Sequence, residues 1–154
     1  MKSHVFYALT ESPTALGRAN KHFHYIMTEI LKKCVDFIRQ EGFPIEEENE
    51  EYLRFKYQAK HYYIENKAED GMFLRIIFPG FCPVSADEEL QALKIINDLT
   101  RQKKVIKLHI DEDRDLWASV ELFIDENTYL PPIIIRGLDL IATTALEFCA
   151  KMID

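Results

Sequence analysis

The sequence predicts a single α+β domain, in which helices pack against an antiparallel five-stranded sheet. Two kinds of pattern indicate this class. Three segments repeat apolar residues at steps of three and four, as amphipathic helices do, and five shorter segments are typical of strands, most of them alternating apolar with polar residues. Short links between successive strands favour antiparallel pairing. The predicted order is α-βββ-α-ββ-α, and a length of 154 residues suits one domain.

The N-terminal part of the chain predicts a lead-in followed by a first helix. Residues 1–19 have no sustained period and are expected to be a flexible lead-in, so that 20–154 form the domain. Asn20 is the expected helix cap, and Gly42 with Pro44 end the helix. Its apolar stripe comprises Phe23, Ile26, Met27, Ile30, Cys34, Phe37 and Ile38.

The next segments predict three strands. The acidic run IEEENEE at 45–51 is interpreted as a solvated connection. YLRFKYQA at 52–59 alternates apolar and polar residues, which predicts a half-buried strand, and HYYIEN at 61–66 predicts its neighbour. MFLRIIF at 72–78 is apolar on both faces, as a central strand would be, and PGFCPV at 79–84 predicts a loop.

The second half of the chain predicts a helix, a hairpin and a closing helix. Ser85 and Glu88 form the capping-box pattern that begins the second helix. Its buried side is expected to hold Leu90, Leu93, Ile96 and Leu99. VIKLHI at 105–110 and LWASVELFI at 116–124 predict the hairpin, and the third helix follows the two prolines at 131–132. The third stripe comprises Leu138, Ile141, Ala142, Ala145, Phe148, Cys149 and Met152, with Gly137 as the weak point of that helix.

Three aspartates in IDEDRDLWASVEL, at positions 111, 113 and 115, have the spacing of the first ligands in a calcium loop. Such a loop needs glycine at its sixth position and glutamate at its twelfth, where this chain has Leu116 and Leu122. Helices should also flank the loop, but strand patterns stand on both sides of it. The aspartates therefore predict the turn of a β-hairpin, because Asp bonds its own backbone and tolerates unusual dihedral angles.

No pattern indicates catalysis or metal binding. His22 and His24 would point to opposite sides of a helix, and no H-E-x-x-H motif occurs. The nucleophile motifs G-x-S-x-G and S-x-x-K are missing, and 5 glycines assemble neither a phosphate-binding loop nor a dinucleotide fingerprint. The sequence therefore predicts no catalytic residue, no metal ligand and no cofactor, in a protein that is not an enzyme. The alternative is a small enzyme whose site is assembled from residues far apart in sequence.

Charge and composition indicate which partners to expect. A net charge of −7 repels phosphate backbones and anionic membranes, so neither nucleic acid nor a membrane is expected as a partner. The basic cluster at 101–107 lies near the end of a predicted helix, where the helix dipole favours cations. No apolar run is long enough to span a bilayer or to form a signal peptide. Three unpaired cysteines, of which Cys82 is expected to be an inert thiol, fit a reducing compartment, so the predicted location is cytoplasmic.

One feature predicts binding. On the outward side of the last hairpin, Trp117 and Phe123 should project together with Lys107 and His109. A tryptophan on a strand face that nominally meets solvent needs a cover. The first or last helix, a partner protein or a second copy of the chain would provide it, and a cover within the chain is favoured. These four residues are the predicted protein-interaction face.

A longer stretch carries a family resemblance. In KIINDLTRQKKVIKLHIDEDRDLWASVELFIDE, Ile96 and Asn97 lie near a helix end, a basic strand opens at 103–107, and an acid-tipped hairpin precedes the terminal helix. This order, over about residues 20–153, resembles the bacterial sensory transduction regulator (YbjN-type) family, whose fold is similar to that of type III secretion chaperones. The resemblance implies a small acidic domain that binds other proteins, often as a dimer, and it carries over no catalytic residue. The expectation is a non-enzymatic, chaperone-like or regulatory module that binds a protein partner or a second copy, with any small-molecule ligand left open.

Overall fold

The computed structural model describes residues 27–66 and 70–153. In these ranges the helices are α1 (Glu29–Gln40), α2 (Glu89–Gln102) and α3 (Leu130–Ile153), and a short 3-10 turn at Ala86–Glu88 precedes α2. The strands are β1 (Ile45–Glu48), β2 (Tyr52–Tyr57), β3 (Lys60–Glu65), β4 (Phe73–Pro83), β5 (Ile106–Ile110) and β6 (Asp115–Phe123). All pair antiparallel in the order β1-β2-β3-β4-β6-β5. The predicted α+β class and antiparallel sheet are confirmed, with six strands in place of five.

One face of the sheet, the helix face, carries the hydrophobic core. A row of directly paired residues across this face consists of Leu53, Ile64, Ile76, Val120 and Ile106. All are buried, and they form one cluster with buried side chains of α1, α2 and α3. The three helices therefore pack on the same side of the sheet.

The opposite side of the sheet is here called the outer face. It carries the residues adjacent in sequence to those of the helix face, because successive side chains of a strand point to opposite sides. A row across it consists of Arg54, Tyr63, Ile77, Ser119 and Lys107. Trp117 and Phe123 alternate with the core residues of β6 and so belong to the outer face as well.

Helix α1 begins later than the sequence predicts. Thr28 is its cap, with extended backbone, and its Oγ1 accepts a hydrogen bond from the Leu31 N–H at 3.1 Å. The predicted cap at Asn20 lies outside the described residues, as do 1–19 and the first members of the expected stripe. The end of the helix is as expected, since Gly42 adopts φ +74 just beyond it.

Two predicted connections are strands instead. The acidic run forms β1 beside β2, because Arg54 Nε and Lys56 Nζ lie 3.0 Å and 3.2 Å from the Glu46 carboxylate and offset its charge. The segment predicted as a loop after residue 78 continues β4 through a register shift that contains Gly80 at φ +57. Runs of acidic residues, proline and glycine are each typical of loops. In these two segments, pairing with a neighbouring strand outweighs that local preference.

The predicted buried stripe of α2 is wrong in part. Leu90 and Leu93 are 65% and 47% exposed, whereas Ala92 and Leu99 are buried. The reason is that α2 lies at the edge of the sheet, where it packs mainly against β5 and α3, so that only a narrow stripe is covered.

Helix α3 begins at Leu130, so that both prolines fall in its first turn, where a missing N–H is tolerated. It approaches the sheet closely at Gly137. A Cβ atom at that position would lie 3.0 Å from Ile76 Cδ1 and 3.7 Å from Val120 Cγ1. The residue that weakens the helix locally therefore permits its packing against β4 and β6.

Candidate protein-interaction surfaces

The structure divides the predicted interaction face into two parts. His109 and Trp117 are directly paired between β5 and β6, with ring centroids 6.1 Å apart, and Lys107 lies two residues before His109 on the same strand. Phe123 is paired with Phe73 instead, with ring centroids 5.9 Å apart. Trp117 and Phe123 are six positions apart along β6, a distance of about 20 Å. The two aromatic side chains share a face but do not form one site.

The side chains of Trp117 and Phe123 also differ in solvent exposure. Phe123 is 86% exposed, whereas Trp117 is 4% exposed. The two helices that the sequence offered as covers for Trp117 correspond to α1 and α3, and over their described lengths both lie on the helix face. Over these described lengths neither helix covers Trp117, which is nevertheless buried, and the interaction face stays a prediction.

An ion-pair network crosses the outer face beside Trp117. Arg75 Nη1 lies 3.3 Å from Glu65 Oε2, and Arg75 Nε lies 3.1 Å from Glu121 Oε1. Lys107 Nζ approaches the same Glu121 oxygen at 3.4 Å, and the Ser119 hydroxyl donates a hydrogen bond to it at 2.9 Å. Burial, the largest influence, raises the pKa of Glu121, but the Ser119 hydrogen bond and the two cations outweigh it and hold that pKa below its ordinary value. The network ties β3, β4, β6 and β5 together.

His109 is half-buried next to this network. Burial lowers the pKa of His109 below its ordinary value, and the charges of Arg75 and Lys107 lower it further. Asp111 and Glu121 act in the opposite sense but more weakly. The imidazole therefore resists protonation in the folded chain.

A groove on the helix face, here called the α3–β6 groove, lies between the first half of α3 and the end of β6. Its volume is about 720 Å³. The residues that line it are Lys104, Val105, Val120, Leu122, Pro132, Ile133, Arg136, Gly137, Asp139 and Leu140. β5 begins at Ile106, so the described part of β5 pairs with β6 as far as Val120 and the last residues of β6 extend beyond it. No local sequence pattern indicates this groove, because its lining residues come from segments far apart in the chain.

Val105 stands at the mouth of the groove in a strained conformation. Its φ is +56, in the left-handed region, and its side chain is half-exposed. A β-branched residue is unfavourable there, because its Cβ crowds the following carbonyl at a cost of about 1–2 kcal/mol. The Val105 carbonyl accepts a hydrogen bond from the Glu121 N–H at 3.4 Å, which helps to hold the conformation. Strain of this kind clusters at binding and active sites.

The charged residues of the groove are mostly basic. Within the described residues, neither Lys104 nor Arg136 forms an ion pair, whereas neighbouring Lys103 pairs with Glu147 at 2.8 Å. Asp139 accepts a hydrogen bond from the Tyr57 hydroxyl at 2.5 Å, and this carboxylate raises the pKa of the tyrosine. The groove therefore combines an apolar floor with two cations available to an acidic group.

No protein-family model matches the chain, and no curated protein sequence does so. Among solved structures, the crystal structure of YbjN from E. coli, proposed to be a transcription regulator, is similar with a TM-score of 0.62 at 12% identity, over 78% of this chain and 91% of that one. The chain has a YbjN-type fold. An uncharacterized protein from Methanothermobacter thermautotrophicus is similar with a TM-score of 0.56 at 14% identity, over 79% of this chain and 94% of that one. At such identities the likeness concerns the fold alone.

The rest of the described YbjN-type fold offers no metal cluster. Residues 27–66 and 70–153 contain no group of three or more His, Cys, Asp or Glu side chains placed to hold a metal ion. The tip of the β5–β6 hairpin is a turn, in which the Asp115 N–H donates to Asp111 Oδ1 at 2.8 Å and Arg114 adopts φ +66. No helix in these ranges is both long and apolar enough to cross a bilayer.

Two cysteine thiols of this chain, Cys34 and Cys82, lack the lowered pKa of reactive cysteines. Burial raises the pKa of Cys34 to about 12. Burial, and then the neighbouring Cys149, raises the pKa of Cys82 to about 11. A nucleophilic thiolate needs a lowered pKa, so neither group is suited to that chemistry.

Proposed function

We propose that this chain is a non-catalytic regulatory module that binds a segment of another protein in the α3–β6 groove. The main support for this proposal is Val105, a half-exposed β-branched residue that lines an apolar groove in a strained backbone conformation. Exposed apolar surface beside polar residues is typical of protein interaction sites. The likeness to YbjN, described as a proposed transcription regulator, supports a regulatory role.

The groove favours a particular kind of segment. Leu122, Ile133 and Leu140 supply apolar contacts, and Lys104 and Arg136 supply positive charge. A short stretch with apolar side chains followed by an aspartate or glutamate meets both requirements, because the arginine fork binds a carboxylate through two parallel hydrogen bonds. Nucleic acid is a poorer match, since the chain carries a net charge of −7 and the groove floor is apolar.

The test is affinity capture from native cells with three forms of the full-length protein. Arg136→Glu reverses a charge in the groove, and Arg101→Glu is the matched control on exposed α2 surface, where Arg101 pairs with Asp98. We expect a protein that is retained by the wild type and by Arg101→Glu but lost from Arg136→Glu, and peptides from it should bind the wild type with at least about tenfold higher affinity than the variant.

Two results would contradict the proposal. Identical capture by all three forms would show that the groove is not the binding site. A wild-type dimer that Arg136→Glu converts to a monomer in sedimentation velocity would assign the groove to a second copy of this chain.

A further inference from the structure

We propose that the segment bound in the α3–β6 groove is extended and adds to the sheet as a short strand beside the end of β6. This inference rests on the proposed function and specifies how the partner binds. β6 extends to Phe123, whereas the pairing of β5 with β6 ends at Ile106, opposite Val120. Among the described strands, the last part of β6 therefore has a neighbour only on its β4 side.

The backbone groups of Phe123 point to this open side of β6. Along an antiparallel strand, successive residues direct their N–H and C=O groups alternately to the two neighbouring strands. The Ile124 N–H donates to the Met72 carbonyl at 2.8 Å, so position 124 faces β4, and the Glu121 N–H donates to the Val105 carbonyl at 3.4 Å, so position 121 faces β5. Phe123 shares the direction of Glu121. In the described part of the chain, neither its N–H nor its C=O has a hydrogen-bond partner.

Apolar side chains lie on both sides of this free edge. On the helix face Leu122 lines the α3–β6 groove. On the outer face Phe123 is 86% exposed and contacts Phe73 edge to face. A strand added here would direct alternate side chains into the groove and against Phe123. The exposed aromatic residue of the predicted interaction face and the groove would then form one binding site, at the opposite end of β6 from Trp117.

The end of β6 also lacks the charges that protect other sheet edges. Proteins prevent the pairing of an exposed edge with foreign strands by placing charged side chains along it. β1, which forms the opposite edge of the sheet, reads IEEE and is mostly exposed. Residues 122–124 read Leu-Phe-Ile and carry no charge. An uncharged edge with free backbone groups beside a groove is the arrangement through which sheets accept an added strand.

Charge favours a segment of another protein over a second copy of this chain. Lys104 and Arg136 line the groove, and neither forms an ion pair with a described residue. Two copies joined through the same edge would bring these cations together around a two-fold axis, and like charges across an interface are unfavourable. The occupant is therefore an extended segment with apolar residues at alternate positions and an aspartate or glutamate that reaches Lys104 or Arg136.

The probe is a library of short random peptides displayed on phage and selected on the full-length wild type. Selection should enrich peptides with apolar residues at alternate positions and an acidic residue. Their affinities are then measured for Phe123→Pro and for the matched control Phe123→Ala. Both variants lack the aromatic ring, but only proline lacks the N–H at the edge, and this N–H is not needed for pairing with β4. Proline should weaken binding about tenfold more than alanine, because a hydrogen bond to the added strand is lost.

Arg136→Glu distinguishes a failure of this inference from a failure of the proposed function. Selected peptides that bind the wild type and Arg136→Glu alike would contradict the groove as the binding site, and strand addition with it. Peptides that Arg136→Glu rejects, but that Phe123→Pro and Phe123→Ala bind equally well, would keep the groove as the site and overturn strand addition alone. A selection that yields no binder would contradict both.

Amide hydrogen exchange of the wild type, followed by NMR, tests the contact even if Phe123→Pro fails to fold. In the free protein the Phe123 N–H should exchange faster than that of Ile124, which donates to the Met72 carbonyl. A saturating selected peptide should slow exchange at Phe123 by at least about tenfold. An unchanged rate with the peptide bound would overturn the proposal. Protection of Phe123 in the free protein that disappears on dilution, together with a dimer, would assign the edge to a second copy instead.

Discussion

Arg75 and Glu121 stand opposite each other in register on β4 and β6, and their side chains form an ion pair of 3.1 Å on the outer face. Glu65 approaches the same guanidinium from β3. The arginine side chain is 7% exposed, so its charge depends on these carboxylates for compensation. One residue therefore connects three neighbouring strands at the centre of the sheet.

Replacement of Arg75 by methionine should destabilise the fold strongly. The variant keeps the aliphatic bulk but leaves the buried Glu65 carboxylate without the guanidinium, and removal of one partner from a buried pair costs about 3–5 kcal/mol. Chemical denaturation followed by circular dichroism measures the change. The matched control is Arg101→Met, since the Arg101 side chain is 74% exposed and its pair with Asp98 should contribute less than about 1 kcal/mol. Equal effects of the two substitutions would contradict a structural role for the network.

His109 should make the protein less stable as the medium becomes more acidic. Its folded pKa lies below the ordinary value of 6.5. Above that value the imidazole is neutral in both states, and as pH falls the unfolded chain binds a proton that the folded chain resists. The loss continues until pH passes below the folded pKa. His109→Gln removes this proton binding. Between pH 7.5 and pH 5 the free energy of unfolding should therefore fall more for the wild type than for the variant, and the difference should begin within about 1 pH unit of the ordinary pKa of histidine. Denaturation curves that run parallel over this range would exclude the effect.

Gly137 should tolerate no branched side chain. Its Cβ position lies 3.0 Å from Ile76 Cδ1, and Ile76 is fully buried and cannot move aside freely. Gly137→Val should therefore lower stability by about 1–3 kcal/mol through overpacking, in spite of the entropic disadvantage of glycine in a helix. Ala150→Val is the control, because Ala150 is exposed on the same helix. A difference of less than about 0.5 kcal/mol between the two variants would show that α3 can shift on the sheet.

The parts of the fold that sequence predicts are those set by local period. Alternation along β6 places Leu116, Ala118 and Val120 toward the core, and the structure has them buried on the helix face. The three-and-four spacing of α3 likewise predicts Leu138 and Ile141 as buried, which they are. In these elements the buried face is wide enough to dominate the pattern.

The rest depends on contacts between distant segments. β1 forms in an acidic run because β2 supplies cations across the strand pair, and no local pattern indicates that pairing. The α3–β6 groove brings Val105 beside Arg136 and Leu140, some thirty residues later in the chain. The left-handed conformation of Val105 could not be predicted from sequence either, because valine ordinarily favours extended backbone.

Val105 provides a test that separates stability from binding. Val105→Asn should relieve the strain of the left-handed backbone, because Asn tolerates that region, and should raise the free energy of unfolding by about 1 kcal/mol. The half-exposed valine side chain contributes little burial that would offset this gain. Lys104→Asn, at an exposed neighbour without positive φ, is the control for stability alone and should leave the free energy of unfolding nearly unchanged, since Lys104 itself lines the groove. The same Val105→Asn protein should retain less of any partner that binds in the α3–β6 groove, since the groove loses an apolar contact at its mouth. A destabilised Val105→Asn variant would show that the strain is compensated by packing, whereas a stabilised variant with undiminished partner capture would remove Val105 from the binding surface.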